Sequence, residues 1–504
     1  MTINAKTLFD PNLEKDNCGF GLIAQRNGKR SRKLVKKSIL GLTSMTHRGA
    51  IGADGKTGDG CGLLFDLNHS FFRLKLGREL NVELPDFFAV AQLFHKNDID
   101  FYISSIRKFL NSQDLDIAVT RSVPVNNEVL GKIARQNLPN ISQVFITPKN
   151  TNLNKERFEA CLLQARKFIE EKFDNDEEFY VCSMSTQTIV YKGLMLPSAI
   201  DEFYLDLKDK KFEAKICLFH QRFSTNTLPR WHLAQPFRLL AHNGEINAIR
   251  GNRNWAKARK SKFSTALIPE ITTFKNLVNE KGSDSSALDN MIEILVKGGI
   301  NTFRALRMVL PPAWQNIHMM DPEIKSFHEY NSMHMEAWDG PAGIVMSDGR
   351  WAICLLDRNG LRPARYQIDS EGYVTIASEI GVFPQDESNF ITKGRIGAGG
   401  IFAIDTETGE LIDQSIIDNK LKEGKPYRAW LRSKAKYLES SLYNYAGSGI
   451  KLISSIDLNR ASKYFMLHTE ERQSVIKPLA VDSSEGTGSM GDDTALAVVS
   501  SMPR

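Results

Sequence analysis

The chain has 504 residues, of which 42% are hydrophobic, and this length and composition predict two to four domains with large cores. Its net charge is +6, but the 65 basic and 59 acidic residues are interspersed, which argues against a nucleic-acid partner. The sequence has no apolar run typical of a signal peptide or membrane span, and its six cysteines are widely spaced, so it predicts a reduced, cytoplasmic protein with no membrane partner.

A cysteine near the start of the chain has the surroundings of a nucleophile. Residues 1–17 are polar and mixed in charge, and their removal as a propeptide would make Cys18 the first residue. A terminal cysteine combines a thiol nucleophile with an α-amino group of pKa about 8 that serves as its base. The apolar residues 20–24 predict a short buried strand beside it. The alternative is a structural cysteine, because free cysteine is among the most buried residue types.

The middle of the chain predicts mixed α and β structure. The basic run at 29–37 is typical of the exposed start of a helix, and the glycine-rich stretch 52–62 predicts a loop beside a site, because it lacks the spacing of a phosphate-binding loop. Residues 85–210 alternate strand-like and helix-like runs without a regular βαβ order. We therefore expect an α+β fold and no doubly wound sheet or barrel.

Two later strands end in polar side chains. The first begins at Ile216 and delivers Arg222 to the edge of a sheet, where a guanidinium can bind a carboxylate through two hydrogen bonds; a surface ion pair is the alternative. The second, 237–241, leads into Asn243-Gly244. This pair is typical of a hairpin turn, but it can also supply the two N–H donors of an oxyanion hole.

A serine-rich segment precedes a predicted helix. Ser283-Asp284-Ser285-Ser286 is followed by apolar residues at helical spacing, and Gly298-Gly299 predicts the end of that helix. Asp284 or Ser285 is therefore a good N-cap, with ligand binding as the alternative. We also expect strand ends and tight turns at 338–341 and 356–363.

Taken together, these motifs resemble the N-terminal class II glutamine amidotransferase domain of glutamate synthase large subunits. The matching stretches are Cys18–Gly21, Met45–Gly52, His220–Thr227, Ala241–Asn254, Ser283–Asn290, Trp338–Ala342 and Leu356–Tyr366. The resemblance implies an N-terminal-nucleophile hydrolase fold, a four-layer αββα sandwich, followed by the start of a second, central domain. It implies a propeptide at 1–17, the amidotransferase domain at 18–425, and a linker with the opening of the central domain at 426–504.

The same resemblance implies a role for each candidate residue in hydrolysing L-glutamine to glutamate and ammonia. Cys18 would be the nucleophile and its amine the base. Arg222 would bind the α-carboxylate of glutamine, and Asp284 its α-ammonium group. Asn243 and Gly244 would form the oxyanion hole.

Glutamate synthases continue well beyond such a domain. Their FMN and iron–sulfur cluster belong to a synthase domain, where ammonia meets 2-oxoglutarate, so the resemblance implies an incomplete large subunit with no cofactor in this fragment. A small glutamate synthase subunit or ferredoxin is the implied partner of the full-length enzyme. Two alternatives stay open: a non-catalytic glutamine-binding or regulatory subunit, and an amidotransferase feeding a different acceptor such as a phosphoribosyl compound.

Overall fold

The structure of the chain is a computed structural model that describes residues 19–150, 153–222, 229–317, 319–383, 389–437 and 455–484. Three features expected from the sequence fall outside these ranges. They are Cys18 with the propeptide 1–17, the end of the arginine motif at 223–227, and the central-domain opening at 488–494.

Strands and helices alternate irregularly along the described residues. The strands are β1 (Gly19–Gln25), β2 (Cys61–Asp66), β3 (Ala89–His95), β4 (Leu115–Ser122), β5 (Asn140–Pro148), β6 (Tyr180–Ser185), β7 (Thr188–Gly193), β8 (Ile216–Gln221), β9 (Leu240–Gly244), β10 (Ala342–Ser347), β11 (Trp351–Leu356), β12 (Arg365–Asp369), β13 (Tyr373–Ala377), β14 (Phe390–Arg395), β15 (Ile401–Asp405) and β16 (Leu411–Ile412). The helices are α1 (Arg32–Ser44), α2 (His69–Glu79), α3 (Ile99–Asn111), α4 (Lys132–Gln136), α5 (Lys155–Lys172), α6 (Ile200–Phe203), α7 (Ile249–Arg259), α8 (Asp284–Lys297), α9 (Thr302–Val309), α10 (Pro322–Ser332), α11 (Gln414–Glu423), α12 (Tyr427–Lys434), α13 (Ser455–Tyr464) and α14 (Thr469–Glu471).

Two antiparallel sheets pack face to face at the centre of the fold. The first sheet has the order β14-β12-β13-β1-β8-β2-β7, and the second has the order β16-β15-β11-β10-β9. Their inner faces share one apolar core, in which Phe20 and Leu218 of the first sheet meet Ala241, Val345 and Cys354 of the second. The strand pairing in both sheets is antiparallel, which confirms that the chain is not a doubly wound fold.

Helices cover the outer faces of both sheets. Helix α1 packs on β1 and β8 and contributes Val35 and Leu42 to the core beneath it. Helices α8, α9 and α10 cover the second sheet, where α8 contributes Leu288 and Met291. The order helix, sheet, sheet, helix is the four-layer sandwich that the resemblance implies, and the apolar residues expected at helical spacing after Ser286 form the buried face of α8.

A third sheet, of order β4-β5-β3-β6, is formed within residues 85–210. Helix α5 lies between this sheet and helix α8: its Phe158 belongs to the core of the third sheet, whereas its Leu163 belongs to the core that α8 shares. The sequence indicates these strands but not a separate sheet, because alternating buried strands look alike whichever sheet they join.

The chain divides into two compact units, one ending at Lys434 and the other beginning at Ala435. The described part of the second unit contains α13 and α14, followed by π-helical turns at Arg472–Ile476 and Pro478–Asp482. The domain boundary expected at 425 stays a prediction. Within the described ranges, every helix is too short or too polar to cross a bilayer.

Candidate active site

The start of β1 and the end of β8 meet at one end of the sandwich. The two strands are antiparallel with Gly19 opposite Gln221, so β1 begins where β8 ends and Arg222 follows directly. Gly19 packs tightly at this point: a Cβ atom there would lie 2.8 Å from Sδ of Met45 and 3.1 Å from Cγ of Arg48. A larger residue after Cys18 would therefore force either the strand or the side chains of Met45 and Arg48 to move.

The end of β9 lies at the same end of the sandwich, in the second sheet. Asn243 pairs with Gly343 of β10. A Cβ on Gly343 would lie 2.8 Å from the ring of Phe20, so the beginning of β1 packs directly on β10, at the residue that pairs with Asn243. Asn243 is buried and Gly244 is half-buried.

The Asn-Gly pair is not in a hairpin turn. Both residues belong to β9 and pair with β10, which begins almost a hundred residues later, so the hairpin alternative is wrong. The strand expected at 237–241 is also shifted, since β9 begins at Leu240. The physical reason is local: the N–H of Phe237 donates to the Leu240 carbonyl at 2.8 Å, which closes a turn ahead of the strand.

Gly244 occupies a backbone conformation and a space that suit only glycine. Its φ is +146°, and a Cβ would overlap the carbonyl oxygen of Pro341. The next residue, Glu245, donates its N–H to the same carbonyl at 2.9 Å. The turn before β10 therefore fixes the backbone that carries the proposed oxyanion donors.

Arg222 is held by contacts on three sides. Its φ of +90° is unusual for a non-glycine residue. Its N–H donates to the Gly60 carbonyl at 2.7 Å, and Nδ1 of His220 donates to the Arg222 carbonyl at 2.7 Å. The guanidinium Nε lies 3.2 Å from Oδ2 of Asp59, and the two side chains are only 12% and 7% exposed. The surface ion pair considered from the sequence is therefore wrong, because this pair is largely buried.

His220 supports this conformation as a neutral ring. Burial lowers the pKa of His220 to about 3, so the imidazole is uncharged at neutral pH and carries one proton. The hydrogen bond to the Arg222 carbonyl requires that proton on Nδ1. The strained backbone of Arg222 is thus fixed by an uncharged buried donor.

Helix α8 begins beside the Asn-Gly pair. Ser283 is its N-cap, because Ser283 has φ −68° and ψ 164° and its Oγ accepts from the Ser286 N–H. The assignment of Asp284 or Ser285 as the cap is therefore wrong: both lie within the helix, one and two positions after Ser283. Oδ2 of Asp284 instead accepts from the N–H of Ile246 at 2.8 Å, two residues after Gly244.

Replacing Ser283 with alanine is expected to lower the free energy of unfolding by about 1 kcal/mol, the usual effect of losing an N-cap. Chemical denaturation of the full chain measures this change. Asp284→Asn is the control, because an amide oxygen still accepts from Ile246 and the cap is untouched. A Ser283→Ala variant as stable as the parent would contradict the cap assignment.

Two residues of the site are absent from the sequence-based predictions. Asp59, which pairs with Arg222, lies in the glycine-rich loop that the sequence predicts beside a site. An acidic residue in that loop is the sequence signal that could have indicated it. Gln235 accepts from the N–H of His242 at 2.8 Å and donates to its carbonyl at 3.0 Å. No local pattern predicts this contact, because it depends on the path of the chain between the two residues.

A family model for class-II glutamine amidotransferases matches residues 18–430. The chain belongs to the class-II glutamine amidotransferases. This family and the two stacked sheets confirm the predicted N-terminal-nucleophile hydrolase fold. A second model, for the glutamate synthase central domain, matches residues 460–504.

Curated relatives of this amidotransferase are glutamate synthases. The NADH glutamate synthase of Saccharomyces cerevisiae is 35% identical over 517 residues, which cover 98% of this chain and 24% of that protein. The ferredoxin-dependent glutamate synthase 1 of Arabidopsis thaliana is 36% identical over 504 residues, which cover 97% of this chain and 31% of that protein. The chain therefore spans less than a third of the length of either relative.

A solved structure also matches part of the chain. It is a glutamine phosphoribosylpyrophosphate amidotransferase of B. subtilis, 13% identical, with a TM-score of 0.27. The match covers 65% of this chain and 48% of that protein. Similarity at this level says nothing about substrate or activity.

Proposed function

We propose that this amidotransferase hydrolyses the side-chain amide of L-glutamine through Cys18. The observation that carries the proposal is the grouping of unlike functional groups at one end of the sandwich. Arg222 follows β8, Asn243 and Gly244 end β9, and Asp284 begins α8 and bonds to the backbone just beyond β9. The strand that follows Cys18 begins beside the end of β8, with Gly19 opposite Gln221.

The charged groups of this site complement the α-carboxylate and α-ammonium groups of a free amino acid. The guanidinium of Arg222 binds the α-carboxylate, for which a planar fork of N–H donors is well suited. Asp59 contacts its Nε and orients the group. The carboxylate of Asp284 binds the α-ammonium group. These two opposite charges fix the substrate at one end and direct its side-chain amide away from them.

The first chemical step forms a thioester. The α-amino group of Cys18 takes the thiol proton, and the thiolate attacks the amide carbon. The resulting oxyanion accepts hydrogen bonds from the Asn243 side-chain amide and the Gly244 N–H. When the oxyanion collapses, the carbon–nitrogen bond breaks, and the nitrogen takes the proton from the Cys18 amine and leaves as ammonia.

The second step returns the enzyme to its starting state. Water, deprotonated by the same amine, attacks the γ-glutamyl thioester through a second oxyanion stabilised by the same donors. The carbon–sulfur bond breaks, the sulfur recovers its proton, and glutamate leaves. Each cycle therefore consumes one glutamine and one water and releases one glutamate and one ammonia.

Replacing Asp284 with asparagine is expected to raise KM for glutamine about 10- to 100-fold, because a hydrogen bond to a charged group contributes about 1.5–3 kcal/mol. The amide keeps an acceptor for the Ile246 N–H, so the loop geometry is retained. Steady-state glutamate release measures the change. Glutaramate, which lacks the α-amino group, is the control substrate and is expected to react equally with both proteins. An equal KM for glutamine in both proteins would reject this role for Asp284.

We further propose that the ammonia is destined for 2-oxoglutarate in a glutamate synthase, with FMN and an iron–sulfur cluster held outside these 504 residues. In the described part of the chain, no group of three or more His, Cys, Asp or Glu residues is arranged to hold a metal ion. The five described cysteines are buried and unpaired. These residues do not fit an iron–sulfur cluster, so the glutaminase steps proposed above use none.

A small glutamate synthase subunit or ferredoxin is the proposed electron donor, and the cytoplasm is the proposed location.

Glutamine labelled with ¹⁵N at the side-chain amide tests the proposed function. We expect the full chain to release ¹⁵N-labelled ammonia and unlabelled glutamate in equal amounts when no acceptor for the ammonia is present. Binding of glutamine without release of either product would favour the non-catalytic alternative. Transfer of the label to phosphoribosyl pyrophosphate would favour the other acceptor.

A further inference from the structure

Helix α8 is joined to β9 by buried hydrogen bonds on both sides of Asn243. On one side, Asp284 accepts from the Ile246 N–H at 2.8 Å. On the other side, Oγ of Ser285 and Nδ1 of His242 share a hydrogen bond of 2.8 Å. His242 directly precedes Asn243, and Ser285 directly follows Asp284. The bond therefore links the neighbour of one proposed site residue to the neighbour of the other.

Other contacts hold the same two elements in place. Oδ1 of Asp289, one turn further along α8, accepts from the N–H groups of Leu239 and Leu240 at 2.9 and 3.2 Å. Gln235 bonds to both backbone groups of His242. The Ser285 hydrogen bond lies between the two points at which Asp289 and Asp284 hold this segment, and it ties the side chain of His242 to α8 while Gln235 and β10 hold the backbone.

The chemistry of this pair suits a positional constraint. His242 and Ser285 are each 1% exposed. Burial lowers the pKa of His242, so the ring is neutral. A buried hydrogen bond between two uncharged groups is costly to leave unmade, and it adds no charge that would compete with the substrate.

We propose that the His242–Ser285 hydrogen bond positions the oxyanion donors Asn243 and Gly244 relative to Asp284, which makes His242 and Ser285 positioning residues of the glutaminase reaction. This inference rests on the proposed function. Oxyanion donors act mainly in the transition state, and losing one costs about 10²–10³ in kcat. Displacing a donor without removing it should therefore lower kcat by a smaller factor.

Ser285→Ala is the test. We expect kcat for glutamate release to fall about 10-fold, a fraction of the full loss of a donor. KM should change less than about threefold, because Asp284 keeps its 2.8 Å bond from the Ile246 N–H and loses only a 3.4 Å contact with the Ser285 hydroxyl. The Ser283 cap is untouched. This response differs from that of Asp284→Asn, which should raise KM.

Ser286→Ala is the matched control. Ser286 lies in the same turn and is 3% exposed, but its Oγ donates to the Ser283 carbonyl at 2.8 Å and accepts from Nδ2 of Asn279 at 2.7 Å. The control loses an equally buried hydroxyl without touching β9. It should lose similar thermal stability and keep kcat. An equal fall of kcat in both variants, or an unchanged kcat in Ser285→Ala, would overturn the proposal.

Hydrogen–deuterium exchange of the full chain gives a readout that does not need turnover. We expect faster exchange at residues 242–246 in Ser285→Ala and parent-like exchange there in Ser286→Ala. Unchanged exchange in Ser285→Ala would overturn the positioning role even if activity fell. A parent protein that releases no glutamate would reject the proposed function separately, and the exchange measurement would still decide whether the hydrogen bond holds β9.

Discussion

Alanine in place of Cys18 is expected to reduce glutamate release from L-glutamine by about 10⁴-fold or more, to the background rate, because removal of a catalytic nucleophile has an effect of this size. Without the thiol no thioester forms, and the remaining groups bind glutamine but do not cleave it. Steady-state glutamate release from the full chain measures the loss, and calorimetric titration with glutamine checks that binding is retained.

The next cysteine in the sequence provides the matched control. Cys61 pairs with Gln221 at the end of β8 but is fully buried, and its Sγ donates to the Met195 carbonyl at 3.3 Å. Burial raises the pKa of the Cys61 thiol, so it is a poor nucleophile. Cys61→Ser keeps the donor and should keep full activity. Substantial glutamate release by Cys18→Ala would contradict the proposed mechanism. Loss of glutamate release in Cys61→Ser but not in Cys18→Ala would contradict it as well.

Alanine at Gly244 is expected to lower kcat about 10²–10³-fold, as much as the loss of an oxyanion donor. The added Cβ would overlap the Pro341 carbonyl oxygen, and φ +146° is strained for alanine, so the end of β9 must move. The N–H proposed to face the oxyanion moves with it. Kinetics at saturating glutamine measure the effect, and circular dichroism checks that the sheets remain.

Gly251→Ala is the control for that substitution. Gly251 lies in α7, is exposed, and has open space where a Cβ would be added. Alanine there should leave activity unchanged and stabilise the helix by about 0.5–1 kcal/mol. A Gly244→Ala variant with parental kcat would show that this backbone position does not take part in the reaction.

The sequence predicts the elements of the site well where the signal is local. The apolar run 20–24 becomes β1, and the spacing of Leu288 and Met291 becomes the buried face of α8. The family follows from short motifs whose residues are close together in the chain. These features depend on neighbouring residues alone, which is why one sequence is enough to recognise them.

The rest of the site depends on contacts between distant segments. The Asn-Gly pair reads as a hairpin turn, but Asn243 pairs with Gly343, a partner that only the folded sheet provides. The cap of α8 is displaced by one residue, because several adjacent polar side chains offer the same local signal. The contact between Asp59 and Arg222 joins a loop to a strand more than a hundred residues later, which no periodicity indicates.

Covalent labelling of the active protein shows whether Cys18 is the N-terminal nucleophile. The full chain is treated with a glutamine analogue that carries a diazoketone in place of the side-chain amide, and its intact mass, N-terminal residue and labelled peptide are determined. We expect a chain that begins at Cys18, with one analogue bound to the Cys18 sulfur after loss of dinitrogen. A chain that retains residues ahead of Cys18 and takes no label, or a label on another residue, would contradict it.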